Sequence, residues 1–212
     1  ALADAAAIPE AFATAWDALT QAGAGMGDVV LVHAAASGVG TAATQIARLM
    51  GARVIGTGRS GAKLARCREW GLEESVVAKD GRFADAVTAL TGGAGATVVI
   101  DLVGGDYVAE SLRCVATGAR LVLLATVGGS TATLPLGLAL SKRVTVKGTV
   151  LRSRALEEKI ALARGFARAV LPGFARGALR PVVDAVLPMT EVREAHRRMA
   201  RDETVGKIVL RW

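Results

Sequence analysis

Asp28-Val29-Val30-Leu31-Val32-His33 is an unbroken apolar run that passes into Ala34-Ala35-Ala36-Ser37-Gly38-Val39-Gly40 and then into a helical stretch ending near Met50-Gly51. The run has strand length and lacks polar alternation, the pattern of a strand covered on both faces. A strand, a turn of small residues and a helix, in that order, set unpaired helix N–H groups and a partial positive charge against whatever anion lies at the turn. Two registers fit. Gly38-x-Gly40-x-x-Ala43 has the G-x-G-x-x-A form, whereas Ala35-x-Ser37-x-x-Gly40 makes Gly40 the residue that packs helix on strand, with Ala and Ser where glycine is usual. Either register turns the same backbone toward a pyrophosphate. Small residues would also suit tight helix packing alone; the flanking strand and helix are what raise phosphate binding above that.

Working outward, the alternation repeats. Strands are predicted over Arg53 to Thr57, near Val76-Val77, over Thr97 to Asp101 and over Arg120 to Leu124, with helices over Lys63 to Trp70, Phe83 to Leu90 and Tyr107 to Ala116 between them. Repeated strand-helix units with right-handed crossovers give an α/β fold, a doubly wound parallel sheet. Val144 to Val150 reads as an edge strand. Upstream, Ile8-Pro9-Glu10 opens a helix running to Leu19 and stopped by the Gly23 to Gly27 cluster. Downstream, a helix over Leu156 to Phe174 leads to Leu179 to Asp184, a helix over Thr190 to Arg201 and a strand over Gly206 to Leu210. This short α+β tail is too small for its own core and is expected to pack on a domain outside this sequence. The expected division is 1–22 as a linking helix, 23–155 as the nucleotide-binding domain and 156–212 as a helix plus the remnant of a catalytic domain. Ala1 to Glu10 has no initiator Met or basic leader and reads as a cut into a longer chain.

Composition agrees. The 212 residues are 52% hydrophobic but only 4% aromatic, with 25 Gly, which suits helices packed closely on a buried sheet. Lys and Arg number 26 against 19 Asp and Glu, a net charge of +7 that favours anionic partners. The basic residues are scattered without interleaved aromatics, so a nucleic-acid groove is not expected. Cys67 and Cys114 lie far apart outside any C-x-x-C, and with only two His the chain offers no metal site; a reducing cytoplasm fits. Leu121 to Ser141 carries no charge over a length that could span a bilayer, but its polar centre, Gly128 to Thr133, and Pro135 split it into short elements.

About 20 residues past the turn, a chain that binds NADH places an acid on the ribose hydroxyls. Here stands Thr57-Gly58-Arg59-Ser60, with Lys63 close behind. Arg59, Ser60 and Lys63 could meet a 2′-phosphate by charge-assisted hydrogen bonds, so NADPH is the expected cofactor. Two further strand ends finish in glycine pairs, Asp101-Leu102-Val103-Gly104-Gly105 and Leu124-Ala125-Thr126-Val127-Gly128-Gly129, where a flat ring can lie against backbone. Asp101 and His33 also sit at strand ends. No G-x-S-x-G elbow accompanies Ser37, so a Ser37-His33-Asp101 triad is not expected, and no catalytic residue is assigned. His196, beside Arg197 and Arg198, reads as surface.

Five stretches together resemble a family: Ala6 to Asp17 (AAIPEAFATAWD), His33 to Gly40, Asp101 to Gly105, Lys147 to Arg154 (KGTVLRSR) and Gly206 to Leu210 (GKIVL). They resemble the medium-chain dehydrogenase/reductases, and within them the zinc-free quinone oxidoreductases. The resemblance implies a Rossmann domain joined to a GroES-like catalytic domain, most of which would precede this sequence. It also implies a homodimer and NADPH-dependent reduction of quinones or related electrophilic alkenes. Carried over by position, Ser37, Gly38, Val39 and Gly40 would hold the pyrophosphate, and Gly58, Arg59, Ser60 and Lys63 the adenosine end. Val103, Gly104, Thr126, Val127 and Leu151 would line the nicotinamide side. Where relatives place a Tyr near the 2′-phosphate, this chain has Ala78-Lys79. The other readings are an enoyl reductase acting on thioester-bound substrates and a non-catalytic nucleotide- or RNA-binding module.

Overall fold

Period-two alternation within the buried strands divides the core into two layers. In the computed structural model, which describes residues 2–212, Val30, Val32, Val54, Val98 and Ile100 face one layer with Phe12, Leu19 and Ile46. Leu31, Ile55, Val99 and Leu121 face the other with Val87 and Leu112. The sheet has six strands: β1 (Val29–Val32), β2 (Arg53–Gly58), β3 (Glu74–Val77), β4 (Ala96–Asp101), β5 (Val115–Leu123) and β6 (Thr145–Gly148). They form one parallel sheet in the order β3-β2-β1-β4-β5-β6. The order reverses beside β1, and in open α/β sheets the ligand crevice lies at such a switch point, beyond the carboxyl ends of the strands. The doubly wound sheet is the one expected.

The helices are α1 (Leu2–Ala6), α2 (Pro9–Gln21), α3 (Gly38–Leu49), α4 (Gly61–Arg66), α5 (Ala84–Leu90), α6 (Asp106–Cys114), α7 (Leu136–Lys142), α8 (Leu156–Ala169), α9 (Leu171–Ala175) and α10 (Val192–Ala200). A two-stranded parallel sheet, β7 (Val183–Pro188) with β8 (Lys207–Arg211), completes the chain. Three helix limits depart from expectation for local reasons. The helix predicted to reach Trp70 gives way at Cys67 to a 3₁₀ turn closed by Gly71 at φ 88°. The helix predicted to reach Ala116 stops at Cys114, and Val115 pairs at once with Ala96. Gly95 permits this, since a Cβ there would stand 2.5 Å from the Val115 carbonyl carbon. The helix predicted over 156–174 breaks at Val170 as Pro172 enters the next first turn. The uncharged stretch 121–141 divides into the end of β5, a loop and the start of α7, and no helix among the described residues is long and apolar enough to cross a membrane.

The tail shares the core of this sheet. Phe166, Val170, Leu179, Val182 and Val205 are buried in the same core layer as α2, α3 and β1. Its main chain is stitched to α3 by Gln45, whose Nε2 donates to Arg180 O at 3.0 Å while its Oε1 accepts from Arg180 N at 2.8 Å. The segment expected to need an outside domain therefore borrows the core of the nucleotide-binding layer.

Leu31 is fully buried between flanking strands. Leu31→Ala is expected to lower stability by about 2–5 kcal/mol, read as a fall in the urea midpoint at unchanged slope.

Candidate functional site

The turn between β1 and α3 is held by short contacts that its small residues permit. Ala35 N donates to Thr57 O on β2 at 2.9 Å, and Ser37 N donates to Ala34 O at 2.9 Å, with Ala34 at φ 48°. Ser37 is the N-cap of α3, its Oγ accepting from Gly40 N at 3.0 Å. Thr41 N donates to Ser37 O. The N–H groups of Gly38 and Val39 open α3, and a parallel bridge between Ser37 and Gly206 brings the tail's main chain against the first of them. A Cβ on Gly40 would lie 2.3 Å from Ala34 O and 2.7 Å from Ala35 Cα. Gly40 is thus the close-packing glycine, and Ala35-x-Ser37-x-x-Gly40 is the register that the structure adopts. A Cβ on Gly38 would instead meet only the side chain of Lys207.

Four elements bring polar groups to this crevice. His33, at the end of β1, is fully buried. Its Nδ1 is 2.8 Å from Thr57 Oγ1 on β2 and its Nε2 is 2.8 Å from Ser111 Oγ on α6. Phe83 lies tilted against its ring and Tyr107 meets it edge-on, with centroids 4.7 and 5.0 Å away. Burial pushes its pKa down to about 4, against the opposing pull of Asp101. His33 is a neutral tie between β1, β2 and α6, and Ser37 is not its partner, so the triad dismissed from sequence is absent here too. Asp101 Oδ1 accepts from Val103 N at 2.7 Å and Gly104 N at 2.9 Å, shaping the loop after β4.

Val103, Gly104, Thr126 and Val127 come together. Gly128 N donates to Val103 O at 2.7 Å, Gly104 pairs with Gly129, and a Cβ on Gly104 would stand 3.2 Å from Thr126 Cα. The glycine pairs let two loops lie backbone to backbone. Leu151 is half-buried in the next loop outward, after β6, and is not joined to that cluster. What orients its loop is a group that sequence reading missed. Arg154 Nη1 donates to Asp17 Oδ1 at 2.8 Å, and Gln21 Nε2 donates to Asp17 Oδ2 at 2.7 Å and Thr149 Oγ1 at 3.0 Å, tying the loop to α2. Asp17 and Arg154 both lie in the stretches that carry the resemblance, but 137 positions apart.

At the end of β2, Gly58 is half-buried and Ser60 caps α4, its Oγ accepting from Lys63 N at 3.3 Å. Arg59 and Lys63 converge, but on a carboxylate: Asp202 Oδ2 accepts from Arg59 at 2.6 Å and Oδ1 from Lys63 at 2.6 Å. The C-terminal tail thus supplies a counter-ion for both cations. The same tail crosses the α3 turn, where Gly206 N donates to Ala36 O at 2.9 Å, Lys207 lies over Gly38 and its ammonium pairs with Glu10. No spacing signal links Asp202 or Lys207 to the turn, so only the fold could reveal them.

This arrangement matches known proteins. The zinc-binding dehydrogenase family matches residues 38–165. The chain belongs to that family, within the medium-chain dehydrogenase/reductases. Its similarities run to the quinone oxidoreductase branch: quinone oxidoreductase-like protein 2 of Bos taurus is 33% identical over 99% of this chain and 60% of that protein. The quinone oxidoreductase of Thermus thermophilus, solved alone and with NADPH, superposes with TM-score 0.87 at 35% identity, covering 99% of this chain and 66% of that one. An NAD-dependent alcohol dehydrogenase superposes with TM-score 0.86 at 36% identity, covering 100% and 59%. A highly reducing polyketide synthase of Cordyceps militaris is 35% identical over 98% of this chain and 8% of that protein. The chain spans about 60% of the length of the quinone oxidoreductase-like relatives that it matches.

The family's name invokes zinc, and the residues of this chain do not fit it. Among the described residues no three His, Cys, Asp or Glu side chains gather to hold a metal. Cys67 and Cys114 are buried apart, and burial pushes their thiols up to about 11 and about 12. Both His33 nitrogens are engaged, and His196 is exposed on α10. A dinucleotide, by contrast, suits the Ser37-capped start of α3 that the close packing of Gly40 positions.

Two outcomes follow. Gly40→Ala should cost about 1–3 kcal/mol of stability and abolish dinucleotide binding, while Gly38→Ala, which meets only a flexible lysine, should cost under about 1 kcal/mol; paired urea titrations check the difference. For His33 the folded pKa lies below the unfolded one near 6.5, so the unfolded chain takes up the proton first as pH falls. Stability is full above about pH 6.5 and is lost toward about pH 4, by about 2 kcal/mol at pH 5. Urea midpoints at about pH 7.5 and pH 5 should show this loss, and His33→Asn should remove it.

Proposed function

We propose that this chain is the cofactor-binding portion of an NADPH-dependent oxidoreductase that delivers hydride to a quinone or another electrophilic alkene or carbonyl. One observation carries the reading: the Ser37-capped start of α3 stands at the carboxyl edge of the sheet, and the segment that follows the next strand carries Arg59 and Lys63 rather than an acid. On this reading Ser37, Gly38, Val39 and Gly40 hold the pyrophosphate by helix dipole and backbone hydrogen bonds. Gly58, Arg59, Ser60 and Lys63 receive the adenosine ribose and its 2′-phosphate. Val103, Gly104, Thr126, Val127 and Leu151 line the nicotinamide face, with the Asp17–Arg154 pair orienting the Leu151 loop. The nicotinamide supplies the hydride; the protein's part is to fix its face and to exclude water, a contribution of position rather than of acid-base chemistry. Cytoplasmic residence suits such an enzyme.

A homodimer is part of this reading. β6 closes one edge of the sheet with all four residues exposed, and Leu136, Leu140 and Val150 are exposed nearby. An edge strand with exposed backbone groups beside exposed apolar side chains favours pairing with a second copy.

The polyketide synthase relative favours a second reading, an enoyl reductase acting on thioester-bound substrates. An RNA-binding module has less support, because the arginines 48, 53, 113, 120, 197 and 198 are paired with carboxylates rather than arrayed as a free stripe.

Fluorescence titration of the full-length protein should give a lower Kd for NADPH than for NADH, with Arg59→Ala weakening NADPH about three- to tenfold and NADH little. Tighter NADH binding would remove the NADPH assignment. Turnover of a quinone against an enoyl thioester then separates the two enzyme readings.

A further inference from the structure

Asp202 stands where the adenosine end of the dinucleotide would lie, and it is held there by two backbone anchors rather than by a loose loop. It closes α10 in the left-handed conformation, φ 53°, with its own N–H donating to Met199 O at 3.0 Å and the N–H of Glu203 donating to Arg198 O at 3.1 Å. Four residues on, Gly206 fixes the segment to the phosphate turn through Ala36 O, and a Cβ on Gly206 would meet Val182 O at 2.3 Å. Between these two anchors the Asp202 carboxylate reaches both cations after β2. One oxygen takes Arg59 at 2.6 Å and the other takes Lys63 at 2.6 Å, while its backbone carbonyl takes Lys63 again at 2.7 Å. Partial burial works against its charge, but Lys63 and Arg59 hold the carboxyl below the usual range, so it is ionised at neutral pH.

A carboxylate bridging an arginine and a lysine presents to them what a phosphate would present, two anionic oxygens in hydrogen-bond range. We infer that Asp202 is a specificity-determining residue, an internal stand-in for the 2′-phosphate that narrows the preference for the phosphorylated dinucleotide over the unphosphorylated one. The inference rests on the dinucleotide reading and deepens it. A 2′-phosphate must displace the carboxylate from both cations and then lie near its negative charge. An unphosphorylated ribose meets no such competition, and its 2′-hydroxyl finds in Asp202 the acceptor that β2 does not itself supply. The β2 cations and the Asp202 anion thus pull selectivity in opposite directions, and the balance is set by a residue 143 positions from Arg59.

The test uses 2′,5′-ADP and 5′-AMP as probes, titrated calorimetrically into the full-length protein as wild type, Asp202→Asn and Asp202→Glu. Asn tolerates the left-handed conformation as Asp does, so the α10 terminus survives the change; matched thermal midpoints verify it. Asp202→Asn should tighten 2′,5′-ADP about five- to tenfold while leaving 5′-AMP within about twofold, and Asp202→Glu should keep the wild-type ratio. An unchanged or lowered ratio of the two affinities in Asp202→Asn overturns the role of Asp202 and leaves the dinucleotide reading standing. If neither probe, nor NADPH, binds wild type or variant, the dinucleotide reading itself fails and the inference with it.

Discussion

The contact on which everything else depends is that of Gly40 with the backbone of Ala34 and Ala35. Helix α3 can approach β1 this closely only because no side chain intervenes, and a Cβ would fall inside the carbonyl oxygen of Ala34. The same economy recurs one strand away, where a Cβ on Gly56 would stand 2.7 Å from Ala35 Cβ and 2.8 Å from Leu72. With α3 seated, its first amides are held at the carboxyl edge of the sheet, and the Ala35–Thr57 hydrogen bond aligns the turn with the end of β2. A helix displaced outward by one methyl group would carry those amides away from the crevice. The cost would fall on function and on packing together.

From that seat the crevice acquires a second, electrostatic layer. The tail returns to the turn from more than 160 residues downstream and fastens at Ala36, at Gly38 and at the Arg59–Lys63 pair. Each of its charged ties is partly exposed and would be worth under about 1 kcal/mol alone. What fixes the tail is the apolar burial of Leu179, Val182 and Val205 in the α2–α3 layer; the ion pairs choose its register against the crevice. The separation of labour explains why the carboxylate at Asp202 can be exchanged for another anion without unfolding the segment.

Much of the sheet was legible in sequence because local signals sufficed. The run from Val29 to Val32 and the small residues from Ala34 to Gly40 carry their own context within a dozen positions, and the glycine pairs at 104–105 and 128–129 mark the ends of β4 and β5. The registers of the turn were not separable there, since both place Gly40 in the motif and only the approach of Ala34 O distinguishes their geometry. Helix ends at Cys67, Cys114 and Val170 were misjudged for the same kind of reason, each being set by a neighbour's backbone or a following proline against continuous helical propensity. The carboxylate that pairs with Arg59 and Lys63 is not legible in sequence because it lies far along the chain. Charge count favours an anion near them and gives no hint that it is Asp202.

The side chains at the crevice also limit what chemistry the chain can perform. His33 has the pKa range of a proton carrier when exposed, but both its nitrogens are bound to hydroxyls, its ring is enclosed by Phe83 and Tyr107, and burial keeps it neutral. The two thiols are buried and held far from ionisation, which removes them as nucleophiles. What the crevice does offer is fixed backbone: the capped start of α3, a pair of glycine loops and a clamped loop after β6. Such a site can orient a flat ring and a diphosphate to within a fraction of an ångström while contributing no proton of its own, and hydride transfer is a reaction for which orientation and exclusion of water supply most of what a protein can give.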